Sequence, residues 1–423
     1  MRLLHTSDWH LGHTLHDAPR EEEHAAFLTW LLDTIEERDV DALLVTGDIF
    51  DSANPPASAQ RDWYRFLVAA GRRRPGLRVV AIAGNHDSAA RLEAPGDVLA
   101  ALDVTVVGEL PRVDGRLDPD RLLVPLCNRD GVRRAWVAAV PYLRPSDFAG
   151  LPGAGNDEAD ALGVDPKATR VAAVYAEAAA AARRVKQDGE AVVLTGHLYA
   201  AGTRLSELSE RKIQKGNLEA VSHDAFDDDV AYVALGHLHL AQTVGGRENV
   251  RYAGSPIPLA LSEAGYRHEV VLVDLPNGGG AARVETIPVP RSVEILRLPE
   301  GGPVTLAEVL PLLAALPSDP DPERLGPDRR AYLEVRLLLE IGEPTWKGDI
   351  EQAVEGKAVR LLRIERSSKG TGAAPPEVTD RTLAEVTPEE VFRMRYVSQN
   401  GGDPPEELLA AFHEILAEVE AER

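Results

Sequence analysis

Five short apolar segments, each followed by polar residues that can bind a metal, constrain the fold of this chain more than any other feature. Each segment has the length and composition of a buried β-strand. Open α/β sheets bind their ligands beyond the carboxyl ends of their strands, and only a fold can bring such distant residues together. The pattern therefore predicts an α/β domain with a binding site at its strand ends. The segments with their polar residues are RLLHTS with Asp8 and His10, ALLVTG with Asp48 and Asp51, VVAIAG with Asn85, His86 and Asp87, AVVLTG with His197, and AYVALG with His237 and His239.

A glycine stands directly before the first polar residue in four of these motifs. Glycine lets the backbone turn sharply or approach another segment closely. Residues two apart, such as Asp8 and His10, would share one face of a flat strand. On a turn just after the strand, two such residues can instead converge on neighbouring metals. The four glycines are Gly47, Gly84, Gly196 and Gly236.

The size and charge of the chain limit its class and its partners. With 423 residues it exceeds one ordinary domain, so two or three domains are expected. A net charge of −22 argues against a broad electrostatic hold on nucleic acid, but not against nucleic acid as a substrate. No apolar stretch approaches the roughly 20 residues of a membrane span, so no membrane contact is expected. A single cysteine, Cys127, suits a reducing cytoplasm.

The texture of the sequence changes along the chain and predicts a division into domains. Residues 1–275 alternate apolar segments with helical patterns, as in a layered α/β domain. PNGGGAA at 276–282 is typical of a turn or linker. Residues 283–366 contain strand-like segments and one helical segment without a cluster of potential ligands, which predicts a small α+β domain that shapes or covers the site. A linker at 367–386 and amphipathic helices at 387–423 follow.

The polar residues supply what a two-metal site needs. Two divalent cations about 3.5–4 Å apart need a shared anionic bridge, several fixed ligands each, and open positions for water and phosphate. Mixed imidazole, carboxylate and amide-oxygen ligands suit Mn²⁺, iron or Zn²⁺ better than Ca²⁺. Asp48, the carboxylate in the middle of the set, is the natural bridge. The predicted ligands are Asp8, His10, Asp48, Asn85, His197, His237 and His239.

His86 is predicted to be catalytic rather than a ligand. It follows Asn85 directly, and adjacent residues generally point in different directions. An imidazole facing substrate can stabilise charge at phosphorus or protonate the leaving oxygen. The predicted reaction is in-line hydrolysis of a phosphate ester assisted by two metals. Most remaining histidines are predicted to be structural, but His13 and His16 stay open as site residues because they follow the first motif closely.

At these residues the chain resembles the calcineurin-like metallophosphoesterase superfamily, whose motifs D-x-H, G-D-x-x-D, G-N-H-[DE], G-H and G-H-x-H occur here in order. The sequence that flanks these motifs, including TSDWHLG, GDIFDSANPP and RYAGSPIPLALSE, resembles that of the SbcD family of nuclease subunits. The resemblance is specific over 1–275, weaker over 283–366, and positional for the terminal helices. It implies an α/β fold, namely a layered metallophosphoesterase β-sandwich flanked by helices, with a small α+β capping domain and C-terminal helices.

The resemblance also implies a role for each site residue. His86 matches the family's catalytic histidine, whereas Asp51 is expected to support a ligand rather than to bind metal itself. Asp48 would bridge the two metals. One metal would be held by Asp8, His10, Asp48 and His239, and the other by Asp48, Asn85, His197 and His237.

Partners follow from the same resemblance. It implies Mn²⁺-dependent exonuclease action, 3′ to 5′, on double-stranded DNA ends and endonuclease action on single strands and hairpins, in cytoplasmic, nucleoid-associated DNA repair, recombination and replication. An SbcC-like coiled-coil ATPase would dock on helices in 387–423, and the capping domain at 283–366 would recognise DNA. A homodimer would form around helices near 58–70 and 90–102, although the apolar residues there could instead belong to the core.

Two alternatives remain open. The chain could be another calcineurin-like enzyme, such as a protein phosphatase or a small-molecule phosphodiesterase. Against this stand the extra domain, the terminal helices, and GDIFDS where such phosphatases usually carry an arginine after the second acid. The chain could also be a structural adaptor with a vestigial site. The complete ligand set argues against an adaptor, because a decayed site should have lost a ligand.

Overall fold

The computed structural model describes residues 1–148, 166–201, 203–204, 221–278, 281–319, 330–339 and 345–368, and, near the end, 389–390, 392–393, 396–397, 403–405, 408–409, 411–413 and 416. The predicted linker at 367–386 lies almost entirely outside the described residues, as does much of the helical region predicted at 387–423. The chain divides into two compact units. The first comprises Met1–Ile295 with Glu323–Ala331, and the second Leu296–Pro322 with Tyr332–Arg423.

The strands and helices of the described residues alternate along the first unit and then become sparser. The α-helices are α1 Glu21–Glu37, α2 Ala57–Arg73, α3 Ala89–Glu93, α4 Gly96–Ala100, α5 Pro166–Val185, α6 Leu306–Ala314 and α7 Trp346–Val354. The strands are β1 Arg2–Thr6, β2 Thr14–Leu15, β3 Ala18–Pro19, β4 Ala42–Thr46, β5 Arg78–Ile82, β6 Val104–Val107, β7 Arg112–Val113, β8 Arg116–Leu117, β9 Leu123–Cys127, β10 Arg133–Ala139, β11 Ala191–His197, β12 Tyr232–Gly236, β13 Gln242–Val244, β14 Arg247–Tyr252, β15 Glu269–Asp274, β16 Arg283–Pro288, β17 Ile295–Leu298, β18 Ala331–Leu339 and β19 Val359–Ser368.

Three of the five apolar segments form neighbouring strands of one six-stranded sheet. Its order is β16-β15-β1-β4-β5-β6, with β1, β4, β5 and β6 parallel to one another and β15 antiparallel to both of its neighbours, β1 and β16. Successive side chains of β4 alternate between two hydrophobic clusters: Leu44 lies in one and Leu43 in the other. Both are fully buried, so each face of this sheet is covered, which is why its strands are apolar throughout.

The other two apolar segments form β11 and β12 in a second six-stranded sheet. Its order is β13-β14-β12-β11-β10-β9. Leu44 and Val80 of the first sheet share one hydrophobic cluster with Val193 and Leu235 of the second, so the two sheets pack face to face. Helices α1 and α2 cover the outer face of the first sheet through residues such as Trp63. The predicted layered α/β sandwich flanked by helices is confirmed.

Strand β16 completes the first sheet rather than beginning the second unit. The PNGGGAA turn predicts a linker followed by a new domain from residue 283. In the structure β16 pairs antiparallel with β15, from Glu269 opposite Pro288 to Asp274 opposite Arg283. The division between the units comes later, between Ile295 and Leu296. Hairpin turns and linkers between domains are both rich in the same residues, such as Gly, Pro and Asn. Composition alone therefore does not distinguish a hairpin turn from a linker.

The second unit contains a three-stranded sheet, β17-β18-β19, together with α6 and α7, which pack against each other. Helix α6 begins with a capping box in which Thr305 and Glu308 exchange side-chain and backbone hydrogen bonds. Further along, the rings of Phe392 and Phe412 stack with their centroids 4.4 Å apart. Over the described residues, no helix combines the length and the apolar character needed to cross a membrane.

Candidate metal centre

Five strand ends from two sheets bring the predicted ligands together. Asp8, Asp48 and Asn85 follow β1, β4 and β5 of the first sheet, whereas His197 ends β11 and His237 follows β12 of the second. Most of these side chains are almost completely buried, with Asp8 fully enclosed and Asp48 only 2% exposed. Asn85 and His86 are exposed, so the site opens to solvent on the side where the third motif lies.

One group of ligand atoms lies around Asn85. Its side-chain oxygen is 3.0 Å from His197 Nε2 and 2.9 Å from His237 Nδ1. His197 Nε2 is also 3.3 Å from Asp48 Oδ2. The potential ligand atoms of Asp48, His197 and His237 all lie within 4.8 Å of one another, close enough to surround one cation. These are four of the seven predicted ligands.

A second group consists of Asp8, His10 and His239, whose ligand atoms also lie within 4.8 Å of one another. His10 Nε2 lies 3.5 Å from the same Asp48 Oδ2 that faces His197. The Asp48 carboxylate therefore stands between the two groups. A single acid in contact with both groups is the arrangement that a bridged pair of metals requires.

The far nitrogen of three imidazoles is held by a hydrogen-bond acceptor. His10 Nδ1 lies 3.0 Å from Asp51 Oδ1, and His239 Nδ1 lies 2.9 Å from Glu263 Oε1. His197 Nδ1 donates to the carbonyl oxygen of Thr46 over 2.9 Å. Donation from Nδ1 leaves the lone pair of Nε2 directed into the site, which is how metal-binding histidines are usually oriented.

The backbone at the strand ends is strained. Asp8, His10 and Asp48 have φ values of 52°, 44° and 48°, and His237 has a φ of 103°. Left-handed backbone is uncommon for residues other than glycine and is concentrated at functional sites. The turn after β1 brings Asp8 and His10 into one group of ligand atoms, whereas the turn after β12 places His237 and His239 in two neighbouring groups.

Two of the glycines are required by close packing around the site. A Cβ atom at Gly84 would lie 2.2 Å from Asp48 Oδ1 and 2.3 Å from the backbone nitrogen of Asp48. At Gly47, whose φ is +92°, a Cβ atom would lie 2.3 Å from His197 Nδ1. Neither position can hold a side chain without displacing a predicted ligand.

The electrostatics of the buried groups favour bound cations. Burial alone would raise the pKa of the Asp48 carboxyl, but the imidazoles of His197 and His10 hold this pKa well below its usual range. Burial alone would lower the pKa of His197, yet Asp48 and Asp8 raise it to about 9. The acids therefore stabilise positive charge strongly at the centre, whether it is carried by a proton or by a metal ion.

The arrangement fits divalent metals. His10 Nε2 and His237 Nε2 are buried nitrogens without a hydrogen-bond partner within the described part of the chain. A buried polar atom without a partner is costly, and a metal ion would satisfy it. The donor set of imidazole nitrogens, carboxylates and one amide oxygen suits Mn²⁺, iron or Zn²⁺.

His86 lies beside the centre. Its backbone amide donates to Asp48 Oδ1 over 2.9 Å, and its Nδ1 lies 2.8 Å from the carbonyl oxygen of Asp51. Its ring centroid is 4.7 Å from that of His10. Because the side chain is exposed, it can reach a substrate that approaches the open side of the site.

Two acids of the site region received no role from the sequence. Asp87 accepts hydrogen bonds from the backbone amides of Ile49, Phe50 and Gly84, and so ties the second and third motifs together. Burial and the Asp48 carboxylate raise the pKa of Asp87 to about 6. Its place within GNHD was a signal that it belongs to the site.

Glu263 is the other acid and carried no signal. It follows no apolar strand of the kind that marks the five motifs, and its contact with His239 depends on tertiary structure. Burial alone would raise the pKa of Glu263, but the His239 imidazole lowers it to about 2.

Two histidines were left open as site residues, His13 and His16. The ring of His13 lies 6.5 Å from that of His10, and burial lowers the pKa of His13 to about 4. His16 has a left-handed φ of 48°.

Comparison with known proteins agrees with this geometry. Residues 1–241 match the calcineurin-like phosphoesterase family, and residues 290–400 match a family described as the type 5 capsule protein repressor C-terminal domain. The chain is 42% identical to the SbcD subunit of the nuclease SbcCD from Rhodobacter capsulatus over 93% of both chains. It is 33% identical to the SbcD subunit from Escherichia coli over 100% of both chains, and 31% identical to that from Bacillus subtilis over 100% of this chain and 99% of the relative. The chain therefore belongs to the calcineurin-like phosphoesterase family, among the SbcD nuclease subunits, and is a metal-dependent hydrolase.

Proposed function

We propose that this chain cleaves DNA phosphodiester bonds with two Mn²⁺ ions, as an exonuclease on double-stranded ends, 3′ to 5′, and as an endonuclease on single strands and hairpins. The observation that carries the proposal is the contact of one carboxylate, Asp48, with both groups of histidine ligands, 3.5 Å from His10 Nε2 and 3.3 Å from His197 Nε2. The relatives are named as parts of the nuclease SbcCD, which supports a nucleic acid as substrate.

The proposed ligand sets follow the two groups of atoms. Bound there, two divalent cations would lower the pKa of a water nucleophile and offset the charge on the phosphate. Manganese is supported by the mixture of nitrogen and oxygen donors. The first set is Asp8, His10, Asp48 and His239, and the second is Asp48, Asn85, His197 and His237.

His86 is the proposed catalytic residue. With Nδ1 donating to the Asp51 carbonyl, its Nε2 points away from that loop and can contact the scissile phosphate or the leaving oxygen. Asp51 has two roles in this proposal, because its carboxylate orients His10 and its carbonyl orients His86. Its carboxylate is 35% exposed, which suits a supporting group more than a buried ligand.

A partner ATPase is proposed to help hold the DNA. A net charge of −22 gives the chain little electrostatic attraction for a phosphate backbone, so a positive surface must come from elsewhere. We propose residues 1–275 for catalysis, together with β16, which completes their first sheet. We propose 296–366 for capping and DNA recognition, 367–386 as linker and 387–423 for docking on an SbcC-like coiled-coil ATPase. Deletion of 388–423 should abolish capture of that ATPase and spare Mn²⁺-dependent cleavage of small substrates. Capture that survives the deletion would exclude the tail as the docking element.

A homodimer is proposed around α2 and α4. Val98 on α4 is 66% exposed and Leu102, just beyond it, is 36% exposed, although both are large apolar side chains. In contrast, Trp63 and Phe66 of α2 are buried in the core, so only part of the predicted apolar set is available to a partner. We also propose a cytoplasmic, nucleoid-associated location, in keeping with a DNA substrate.

The test is cleavage of a labelled DNA hairpin by the purified chain with Mn²⁺, alone and with its ATPase. Cleavage should require Mn²⁺, stop with a chelator, and be lost in Asp48→Asn. Asp188→Asn is the matched control, because Asp188 is exposed near the amino end of β11, opposite to His197. Absence of cleavage under all conditions, with turnover of a phosphopeptide or a cyclic nucleotide instead, would favour another phosphoesterase activity.

A further inference from the structure

The Glu263 carboxylate is shielded from solvent, so only protein groups can stabilise its charge. Glu263 lies in the short 3₁₀-helix Leu261–Gly265 and is fully buried. Both carboxylate oxygens have partners: Oε1 lies 2.9 Å from His239 Nδ1, and Oε2 accepts the backbone amide of Leu259 over 2.7 Å. A buried carboxylate is retained only where its charge and its hydrogen bonds are satisfied, so each of these contacts matters.

The loop that carries Glu263 is anchored at a second point. Arg20, which is 1% exposed, donates from Nη1 to the carbonyl oxygen of Pro258. The same guanidinium forms a paired contact with the Glu23 carboxylate, at 2.7 and 2.6 Å. The loop is thus held by Arg20 on one side and by the Glu263–Leu259 contact on the other, which leaves the Glu263 carboxylate little freedom to move away from His239.

The three imidazole–acceptor contacts of the centre differ in strength. His197 donates to a neutral carbonyl, and His10 donates to an acid that is 35% exposed. Of these three, His239 alone donates to a fully buried carboxylate. A hydrogen bond to an ionised acceptor is stronger than one to a neutral group, and burial strengthens it further. The orientation of His239 is therefore the most firmly imposed of the three.

We propose that Glu263 is a positioning residue of the metal centre, which holds His239 as the Nδ1-protonated tautomer and directs its Nε2 to the metal shared with Asp8 and His10. This inference rests on the two-metal centre proposed above. Both carboxylate oxygens of Glu263 are taken up by His239 and Leu259, so Glu263 would not itself bind metal or substrate. It acts through His239 by fixing which nitrogen carries the proton and where the ring points.

The test is Mn²⁺ binding to Glu263→Gln, measured by calorimetry and by counting bound ions, independently of cleavage. The amide can still accept from Leu259, but its NH₂ group then faces His239 Nδ1 and favours the tautomer whose Nε2 is protonated. One of the two binding events should weaken by about 10–100-fold while the other is kept. Cleavage should recover at saturating Mn²⁺, since the defect lies in metal affinity.

Glu190→Gln is the matched control. Glu190 is also a buried glutamate held by one side chain and one backbone amide, from Arg133 and Gln187, and it lies just before β11 at the end away from the centre. This variant should bind both ions with the affinity of the unchanged protein. A wild-type affinity for both ions in folded Glu263→Gln would overturn the inference, as would a cleavage defect that saturating Mn²⁺ does not relieve.

Two further outcomes keep the inference separate from the proposed function. If the unchanged protein binds no Mn²⁺, the metal centre itself is wrong. If Glu263→Gln does not fold, ¹⁵N NMR of the histidines in the unchanged metal-free protein decides the question. As the pH is raised, His239 should lose the proton on Nε2 first and keep a slowly exchanging proton on Nδ1, and loss of the Nδ1 proton first would overturn the inference.

Discussion

Adding one methyl group at Gly84 should disable the centre without removing any polar atom. An ideal Cβ there would lie 2.2 Å from Asp48 Oδ1, 2.3 Å from the Asp48 backbone nitrogen and 2.8 Å from its Cγ. Carbon atoms in contact normally stay about 3.5–4.0 Å from their neighbours. In Gly84→Ala the turn bearing Asp48 must therefore shift by roughly 1 Å, because backbone cannot rotate aside as a side chain can.

Two magnitudes follow from this displacement. Overpacking of a rigid site costs about 1–3 kcal/mol of the free energy of unfolding. A shift of about 1 Å in a catalytic centre can cost about 100-fold in rate. Because Asp48 contacts both groups of ligands, Gly84→Ala should impair the binding of both metals, unlike Glu263→Gln, which should impair one.

The assay compares Gly84→Ala with Gly71→Ala by urea unfolding, Mn²⁺ titration and cleavage. Gly71 lies within α2, and a Cβ there would meet no atom within 4 Å, so the same chemical change should stabilise the protein by about 0.5–1 kcal/mol. Cleavage by Gly71→Ala should be unchanged. If Gly84→Ala binds two Mn²⁺ ions and cleaves at the wild-type rate, the steric argument is refuted.

Three further predictions concern catalysis, assembly and pH. His86→Leu should keep both Mn²⁺ ions and lose cleavage; loss of metal in calorimetry would assign His86 to the ligands instead. Val98→Asp should convert a dimer to a monomer in sedimentation equilibrium without lowering stability, since Val98 is 66% exposed, and an unchanged dimer would move the interface elsewhere. Burial lowers the pKa of His5 and of His24 to about 3, so between pH 6.5 and 3 the unfolded chain binds more protons than the folded one. Lowering the pH from 8 to 5 should therefore cost about 2 kcal/mol of the free energy of unfolding for each of these histidines. Over this pH interval His24→Gln should lose about 2 kcal/mol less stability in urea unfolding than the unchanged protein, and an equal loss in the two proteins would contradict the reasoning.

The positions of the strand ends could be predicted from sequence because they depend on residues that are close together in the chain. A short apolar run predicts a buried strand, and a glycine followed by a polar residue predicts the turn after it. What such a pattern leaves undetermined is which sheet each strand joins. The runs at β1, β4 and β5 and those at β11 and β12 look alike, yet they belong to different sheets. The sandwich was implied by family resemblance and not by periodicity.

The supporting acids show why part of the site escaped prediction. Asp87 lies within a motif, but its role depends on amides of Ile49 and Phe50 that come from another loop. Glu263 meets His239 only because the chain returns through β14 to a short 3₁₀-helix. Such contacts are set by tertiary structure, and the same local sequence in another protein could belong to an ordinary acid on the surface. Likewise, β16 joins the first sheet because of its pairing partner rather than its composition.

The position of β1 within its sheet has a consequence for how the protein is made. This first strand lies between β4 and β15, and its pairing with β15 joins His5 to Val271. Likewise Asp8 accepts the amide of His237, which lies 229 residues further along. During translation nearly the whole first unit must therefore leave the ribosome before β15 can pair with β1. Until then the edge of β1 that faces β15 stays unpaired in the nascent chain. Such long-range closure is slow, and it exposes the chain to aggregation until the partner strand arrives.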